Sequence, residues 1–243
     1  MMDLHAHLLP GLDDGPSELS ATLDMARAMV EAGIFGVAAS PHVFPAMGWT
    51  PTRAQILATG ETVRHALAAE GIALELLPSA EHFYDESLLA RIQAGEAVPI
   101  NLRRWALVEF STTALPPDVP AALYRLRRLG IEPLLAHVER YEGLATSEER
   151  VRMLVDQGYA LQVDMGAIVG QFGKAQQRTA WRLLERDLVT VVASDAHSAA
   201  DVRATVAAGR ELLTKRLGEA RCLSVLVERP ARICAGEPLD LAC

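Results

Sequence analysis

Asp3-Leu4-His5-Ala6-His7 stands at the start of the chain, in a run that predicts a β-strand. Because side chains alternate along a strand, His5 and His7 are expected on the same face. The loop that follows adds two adjacent acids, Asp13 and Asp14. Imidazole nitrogens beside carboxylate oxygens suit a divalent ion such as zinc, manganese or iron. A histidine pair at the surface is the plainer interpretation, and this stretch alone does not decide between the two.

Short β-rich runs alternate with longer helical patterns along the rest of the chain. Most of the runs are apolar nearly throughout, which is typical of parallel strands covered on both faces. The predicted strands span residues 2–7, 34–40, 72–80, 105–110, 131–137, 159–164 and 188–194. The predicted helices span residues 17–32, 52–70, 118–129, 147–157 and 174–186, with more helix after about residue 201. This alternation predicts an α/β fold with a parallel sheet, either closed into a barrel or open and doubly wound.

Composition narrows the class of protein. The chain has 243 residues without a linker-like stretch, so we expect one domain over residues 1–243. Neither a membrane-spanning run of roughly 20 apolar residues nor a signal peptide is expected. Cys222, Cys234 and Cys243 show no metal or disulfide spacing, which predicts reduced thiols in a cytoplasmic protein. The net charge of −8 argues against binding along a nucleic-acid backbone.

Histidines and acids recur at the ends of most predicted strands. The carboxyl ends of barrel strands converge on one rim, where active sites are built. So many buried polar groups would be costly unless metal ions or hydrogen bonds satisfied them. The residues at these ends are His5, His7, Asp14, His42, Glu81, Glu109, His137, Asp195 and His197. Chance recurrence at every strand end is the disfavoured alternative, so the pattern predicts a polynuclear metal site.

Longer motifs carry a family resemblance that spans essentially the whole chain. The run from His5 to Pro16 resembles the opening of the polymerase-and-histidinol-phosphatase (PHP) superfamily. More narrowly, it is similar to the bacterial manganese-dependent protein-tyrosine phosphatases of capsule and exopolysaccharide operons. Matching segments follow in the same order: Ala80-Glu81, Leu107-Val108-Glu109-Phe110, Ala136-His137-Val138-Glu139-Arg140-Tyr141 and Ala193-Ser194-Asp195-Ala196-His197.

The resemblance implies a distorted (β/α)7 TIM-like barrel of the PHP type with three divalent metal ions, expected to be manganese, with iron or zinc as alternatives. It implies that one ion is held by His5, His7, Glu81 and Asp195. It implies that a second is held by Glu81 as a bridge, Glu109 and His137. It implies that a third is held by Asp14, His42 and His197. Arg140 matches a phosphate-binding arginine, and Arg203, displaced from the family position, is the nearest candidate for a second.

The implied activity is hydrolysis of phosphotyrosine by metal-activated hydroxide. The implied partner is the tyrosine-rich tail of a membrane-associated bacterial tyrosine kinase that controls capsule or exopolysaccharide synthesis. Glu109 favours this branch, because many relatives in the wider superfamily carry histidine there. Three alternatives stay open: a histidinol-phosphate-type small-molecule phosphatase, another PHP phosphoesterase, or a catalytically idle metal-binding module that docks a kinase.

The segment 43–49 departs from the family pattern and is expected at the mouth of the pocket. Its aromatic residues, Phe44 and Trp49, are expected either to pack the rim or to contact substrate. His65, His82 and Glu139 are expected to be structural or to support the ligands, without direct catalytic roles.

Overall fold

The fold is described here from a computed structural model, in which residues 1–240 are defined and Cys243 lies outside the described part. The strands are β1 (Met2–Ala6), β2 (Gly36–Ala39), β3 (His42–Val43), β4 (Glu75–Pro78), β5 (Glu81–Phe83), β6 (Trp105–Glu109), β7 (Glu132–Leu135), β8 (Ala160–Asp164) and β9 (Val191–Ala193). The helices are α1 (Leu19–Glu31), α2 (Arg53–Ala69), α3 (Glu86–Gln93), α4 (Val119–Arg128), α5 (Glu142–Ala145), α6 (Glu148–Asp156), α7 (Met165–Val169), α8 (Lys174–Glu185), α9 (Ala199–Leu217), α10 (Glu219–Leu223) and α11 (Arg229–Ala235).

The strands form a parallel sheet that curls back on itself. One part has the order β1-β2-β4, and the other has the order β3-β5-β6-β7-β8-β9. The last strand returns to the first, because Ala6 and Ala196 form a parallel bridge. The backbone N–H of His7 donates to the carbonyl of Ala196 at 2.9 Å, and that of Asp195 donates to His5 at 2.9 Å. The predicted α/β fold with a parallel sheet is therefore confirmed, and the sheet curls into a half-barrel.

In two of the predicted strand regions, 34–40 and 72–80, the strand is followed after a two-residue break by a second short strand, and these breaks position the site. The region 34–40 forms β2, and after Ser40-Pro41 the chain continues as β3. Pro41 has no N–H for a strand ladder, while its carbonyl accepts from the N–H of Glu81 at 3.1 Å. As a result β3 and β5 pair with His42 directly opposite Glu81.

Capping residues and glycines set most helix ends. Asp118 accepts from the N–H of Ala121 at 2.9 Å at the start of α4. Gly130 and Gly158 follow α4 and α6 with φ of +83° and +79°, the left-handed backbone that glycine adopts without strain. The helix α3 was missed from the sequence, although Asp85 caps it by accepting from the N–H of Leu88 at 2.8 Å.

Apolar side chains fill the space between the sheet and its helices. A separate, smaller cluster combines residues of β1, β2, β6, β7, β8 and β9 with Ile233 and Cys234 of α11. Cys222 and Cys234 are free, buried thiols. Among residues 1–240, no helix has the length and apolar content needed to cross a membrane.

Candidate active site

Glu81 lies at the centre of the predicted ligands. Its Oε2 is 3.1 Å from Nε2 of His5 and 3.0 Å from Nδ1 of His42. Its Oε1 is 2.9 Å from Nε2 of His137. The side chain is fully buried, and its two oxygens face different histidines. This geometry is what a carboxylate needs in order to bridge two ions.

Asp195 completes a compact group with the two histidines of the opening motif. Its Oδ1 lies 3.2 Å from Nε2 of His5 and 3.4 Å from Nε2 of His7. The two Nε2 atoms are themselves 3.3 Å apart. The return of β9 to β1 brings Asp195 here, so residues at opposite ends of the chain share one group.

Asp14 and His197 form the outer edge of the site. Oδ1 of Asp14 lies 3.4 Å from Nε2 of His197 and 3.8 Å from Nε2 of His42. The ring of His197 stacks on that of His7, with centroids 3.9 Å apart. Donor atoms of His7, Asp14, His42 and His197 are close enough to share one ion.

Glu109 lies between two histidines. Its Oε1 is 3.4 Å from Nδ1 of His42, and its Oε2 is 3.7 Å from Nε2 of His137. Donor atoms of His42, Glu81 and Glu109 also cluster within reach of one ion. The structure thus brings the predicted ligands together, while the assignment of each to a particular ion stays a prediction.

The donor set fits divalent metal ions. It combines imidazole nitrogens with carboxylate oxygens, the mixture that suits zinc, manganese and iron. Several of these buried atoms make no well-aligned hydrogen bond among residues 1–240, although Nδ1 of His42 lies 3.0 Å from Oε2 of Glu81 and 3.4 Å from Oε1 of Glu109. The atoms concerned are Nδ1 of His42, Oε2 of Glu81, Oε1 of Glu109 and Nδ1 of His137. Buried polar groups are normally paired, so these atoms are better satisfied by a ligand than by the protein.

Without cations, protons on histidines balance the carboxylates. Burial by itself would lower the pKa of His7, yet hydrogen bonds to Asp13 and Asp195 raise it to about 10. His42 behaves in the same way, because Glu109 and Glu81 outweigh its burial and raise its pKa to about 11. Positive charge is therefore favoured beside the carboxylates of the site, whether it is carried by protons on the histidines or by metal ions.

Two of the predicted ligands have a strained backbone. His137 has φ of +31° and Asp195 has φ of +51°, in the left-handed region that L-residues other than glycine avoid. Both follow the end of a strand, where the chain turns sharply and directs the side chain toward the site. Such strain is concentrated at functional sites, where the surrounding structure holds it in place.

Arg140 reaches the edge of the same cavity. Its Nη1 donates to Oδ2 of Asp195 at 3.1 Å, and its guanidinium carbon lies 5.4 Å from the ring centre of Phe172. The cavity of about 340 Å³ is lined by Asp14, His42, Glu81, Glu109, Thr112, His137, Arg140, Gln171, Phe172, Ser194, Asp195, His197, Asp201 and Thr205. At 38% exposure, the side chain of Arg140 is accessible to a substrate anion.

Arg203 lies on α9, where its side chain is exposed. Within residues 1–240 it is not among those that line the cavity, whereas Asp201 and Thr205 of the same helix are. Its role as a second phosphate ligand stays a prediction.

A ring of side chains, most of them buried, supports the site, and two of its members were missed from the sequence. Nδ1 of His5 lies 3.0 Å from Oε1 of Gln162, whose Nε2 donates to Oδ1 of Asp164 at 2.7 Å. Oδ2 of Asp164 lies 3.7 Å from Nη1 of Arg140, which in turn bonds Asp195. The signal was present in β8, where Gln162 and Asp164 alternate with apolar residues and therefore share one face.

Replacing Gln162 with leucine should weaken metal binding. The change removes the acceptor that orients His5, and loss of such a supporting partner typically costs roughly 10–100-fold in metal affinity. Competition with a fluorescent chelator measures this affinity. Gln93→Leu, at an exposed position on α3, is the matched control. Equal affinities for the Gln162 variant and the control would contradict this role.

The remaining singled-out residues lie outside the predicted ligand set. His65 is 79% exposed and pairs with Glu61 on α2. Glu139 is buried and accepts from the N–H of Asp164 at 3.1 Å. Trp49 stacks on the ring of His42 with centroids 4.7 Å apart. Phe44, from the same 43–49 segment, stacks on the ring of Phe83 with centroids 3.8 Å apart. Both aromatic residues therefore pack against the rim of the site.

The chain matches the family described as "Capsular polysaccharide synthesis, CpsB/CapC" over residues 1–235. The chain belongs to the CpsB/CapC family. It is 29% identical to the tyrosine-protein phosphatase CpsB of Streptococcus pneumoniae over 238 residues, which cover 96% of this chain and 98% of the relative. It is 30% identical to the tyrosine-protein phosphatase YwqE of Bacillus subtilis (strain 168) over 198 residues, which cover 82% of this chain and 78% of the relative. The family predicted from the sequence motifs is confirmed.

Solved structures agree with this membership. This CpsB/CapC protein superposes with a TM-score of 0.90 on a chain from the crystal structures of YwqE from Bacillus subtilis and CpsB from Streptococcus pneumoniae, described as unique metal-dependent tyrosine phosphatases. The match covers 98% of this chain and 95% of that one at 27% identity. A β-aspartyl dipeptidase from Fervidobacterium islandicum, with a TM-score of 0.57 and 13% identity, shares the fold alone.

Proposed function

We propose that this CpsB/CapC protein is a metal-dependent phosphatase that hydrolyses phosphotyrosine on proteins. The observation that carries the proposal is the convergence of the histidines and carboxylates around Glu81 with Arg140 at the edge of the same cavity. Family membership over residues 1–235 and the tyrosine phosphatases among its relatives support it.

The fold we propose is a distorted seven-stranded (β/α)7 barrel of the PHP type, formed by a single domain over residues 1–243. Counting β2 with β3 as one interrupted strand, and β4 with β5 as another, reduces the described strands to seven. The bridge between Ala6 and Ala196 supports closure between the first and last of them.

We propose that the site holds three divalent ions, with manganese as the expected metal. His5, His7, Glu81 and Asp195 would hold one, Glu109 and His137 would join Glu81 at a second, and Asp14, His42 and His197 would hold the third. When bound, such ions lower the pKa of a coordinated water and neutralise phosphate oxygens. The protein's own part is to orient these donors, as the contact of Gln162 with Nδ1 of His5 does.

Arg140 is proposed to bind the phosphate of the substrate. Its planar guanidinium can donate two parallel hydrogen bonds to phosphate oxygens. Asp195 and Asp164 lie on its inner side and hold it toward the cavity. Phe172, against which it packs, offers an apolar surface near the position that the tyrosine ring would take.

Arg140→Ala should lower kcat/KM for a phosphotyrosine peptide by about 10–100-fold, because hydrogen bonds to a charged group contribute about 1.5–3 kcal/mol. Metal content should stay unchanged, since arginine donates no electron pair to a metal. Steady-state kinetics and elemental analysis measure the two quantities. Arg128→Ala, exposed on α4, is the control. Loss of metal together with activity would show that Arg140 instead maintains the metal centre.

The substrate proposed is a phosphotyrosine protein, specifically the tyrosine-rich tail of a membrane-associated bacterial tyrosine kinase in capsule or exopolysaccharide synthesis. Two facts support this proposal: relatives are named as tyrosine-protein phosphatases, and the family description refers to capsular polysaccharide synthesis. A cytoplasmic location is part of the same proposal.

Substrate choice separates this proposal from its alternatives. The metal-loaded chain should hydrolyse a phosphotyrosine peptide with a higher kcat/KM than histidinol phosphate. Brisk turnover of histidinol phosphate without turnover of the peptide would instead show a small-molecule phosphatase. Bound metal without turnover of either compound would favour the non-catalytic docking module.

A further inference from the structure

The segment that follows His42 folds back on itself as a short closed loop. The backbone N–H of Phe44 donates to the carbonyl of Trp49 at 2.8 Å, and the N–H of Trp49 donates to the carbonyl of Phe44 at 3.2 Å. Pro45 begins the turn between them, and Gly48 ends it with φ of +84°, a conformation that glycine adopts without strain. The loop therefore returns Trp49 to the end of β3, beside His42.

A stack of two rings attaches this loop to the neighbouring strand. The ring of Phe44 lies 3.8 Å from that of Phe83 between centroids, with only 6° between the two planes. Phe83 belongs to β5, two residues after Glu81. The loop is thus held at β3 through its backbone and at β5 through Phe44, so it can keep Trp49 in one place.

Trp49 lies face to face with His42, one of the predicted metal ligands. The ring centroids are 4.7 Å apart, and the planes are inclined by only 8°. Within residues 1–240, His42 is among the residues that line the metal cavity, whereas Trp49 is not. The indole therefore contacts the ligand itself and not the space that a substrate would enter.

Three other histidines of the site are oriented by an acceptor at Nδ1. A histidine that binds a metal through one ring nitrogen normally donates a hydrogen bond from the other, which fixes the plane of the ring. The contacts from Nδ1 are those of His5 to Oε1 of Gln162 at 3.0 Å, His7 to Oδ2 of Asp13 at 2.6 Å, and His197 to the carbonyl oxygen of Asp195 at 3.0 Å.

The ring nitrogens of His42 face other predicted ligands instead. Nδ1 lies 3.0 Å from Glu81 and 3.4 Å from Glu109, and Nε2 lies 3.8 Å from Asp14. Carboxylates that bind metal ions are no longer free to orient this ring. The parallel stack on Trp49 is then the contact that fixes the plane of the imidazole.

We propose that Trp49 is a positioning residue for metal binding. Its stack holds the imidazole of His42 with both nitrogens toward the other donors, and this raises the affinity for the ion that His42 binds. A side chain that is already held in its binding orientation loses less conformational freedom when the ligand arrives. The inference rests on the proposed metal centre and is independent of the substrate.

Titration of manganese into the chelated full chain, with free Mn²⁺ followed by electron paramagnetic resonance, tests the proposal. Loss of a partner that orients a metal ligand typically costs roughly 10–100-fold in affinity. We expect Trp49→Leu to weaken the binding of one manganese ion by about tenfold, near the lower end of that range. Trp49→Phe, which keeps an aromatic face, should retain most of the affinity. Tyr124→Leu, at a 55% exposed aromatic position on α4, should match the wild type.

A double-mutant cycle with His42→Asn separates positioning from a general effect on folding. In the His42→Asn background, Trp49→Leu should weaken manganese binding no further, because the ring that Trp49 positions is gone. The proposal is overturned if Trp49→Leu, shown by circular dichroism to be folded, binds manganese as tightly as the wild type. It is also overturned if Trp49→Leu weakens binding equally with and without His42.

Bound metal is the readout of both experiments, so they do not depend on turnover. A chain that binds manganese without hydrolysing phosphotyrosine would contradict the proposed function, while the comparison of Trp49→Leu with the wild type would still decide the role of Trp49. A wild type that binds no manganese would contradict both proposals.

Discussion

Replacing Glu81 with glutamine should remove most of the bound metal and abolish measurable phosphotyrosine hydrolysis. Glu81 is the carboxylate that contacts His5, His42 and His137 at once, and glutamine keeps its shape without its charge. Loss of a residue that merely orients a metal ligand costs roughly 10–100-fold. We expect the loss for this proposed bridging ligand to exceed that range in both metal affinity and kcat.

Elemental analysis and phosphate release from a phosphotyrosine peptide measure the two effects of Glu81→Gln. Glu61→Gln, on the exposed surface of α2, is the matched control and should behave as the wild type. His5→Ala and Asp195→Ala should also lose metal and turnover. Full activity in any of these three site variants would show that the metal centre has been placed on the wrong residues.

The second large effect concerns stability after metal removal. Stripped of metal, the chain should lose stability as the pH rises from about 6.5 toward 10. Carboxylates raise the pKa of His7 to about 10 and that of His42 to about 11, against the effect of burial. Between their ordinary pKa and these values, the folded chain holds protons that the unfolded chain has released, so a rise in pH favours unfolding.

The size of this effect follows from the same linkage. Each pH unit between the two pKa values of one group is worth about 1.4 kcal/mol, so the loss should reach the order of a few kcal/mol by pH 9. The metal-loaded chain should not show this decline, because metal ions replace the protons.

Urea unfolding at pH 6.5, 7.5 and 8.5, with excess chelator or with saturating manganese, measures the stability difference. His65→Gln, which changes an exposed imidazole, should leave the slope of the chelated protein unchanged. His42→Asn should flatten that slope. A chelated wild-type protein of constant stability over this range would contradict the charge balance described for the site.

Sequence patterns predicted which side chains meet at the site more completely than they predicted the architecture around them. His5 and His7 could be placed on one face because strand alternation is local, and Asp195 could be placed near them because parallel strands converge at one edge. The breaks that separate β2 from β3 and β4 from β5 were not predicted, because they depend on which backbone groups find partners across the sheet.

The supporting residues were missed for a different reason. Gln162 and Asp164 gain their roles only through contacts with His5 and Arg140, which lie far away in sequence. A polar pair on one face of an otherwise apolar strand was the available signal.

The central claim is tested most directly by titrating manganese into the chelated protein while phosphate release from a phosphotyrosine peptide is followed. We expect turnover to be absent in chelator, to rise with added manganese, and to reach its plateau as the metal content of the chain saturates. Turnover that persists in excess chelator, after elemental analysis has shown the protein to be free of metal, would contradict metal-dependent catalysis at this site.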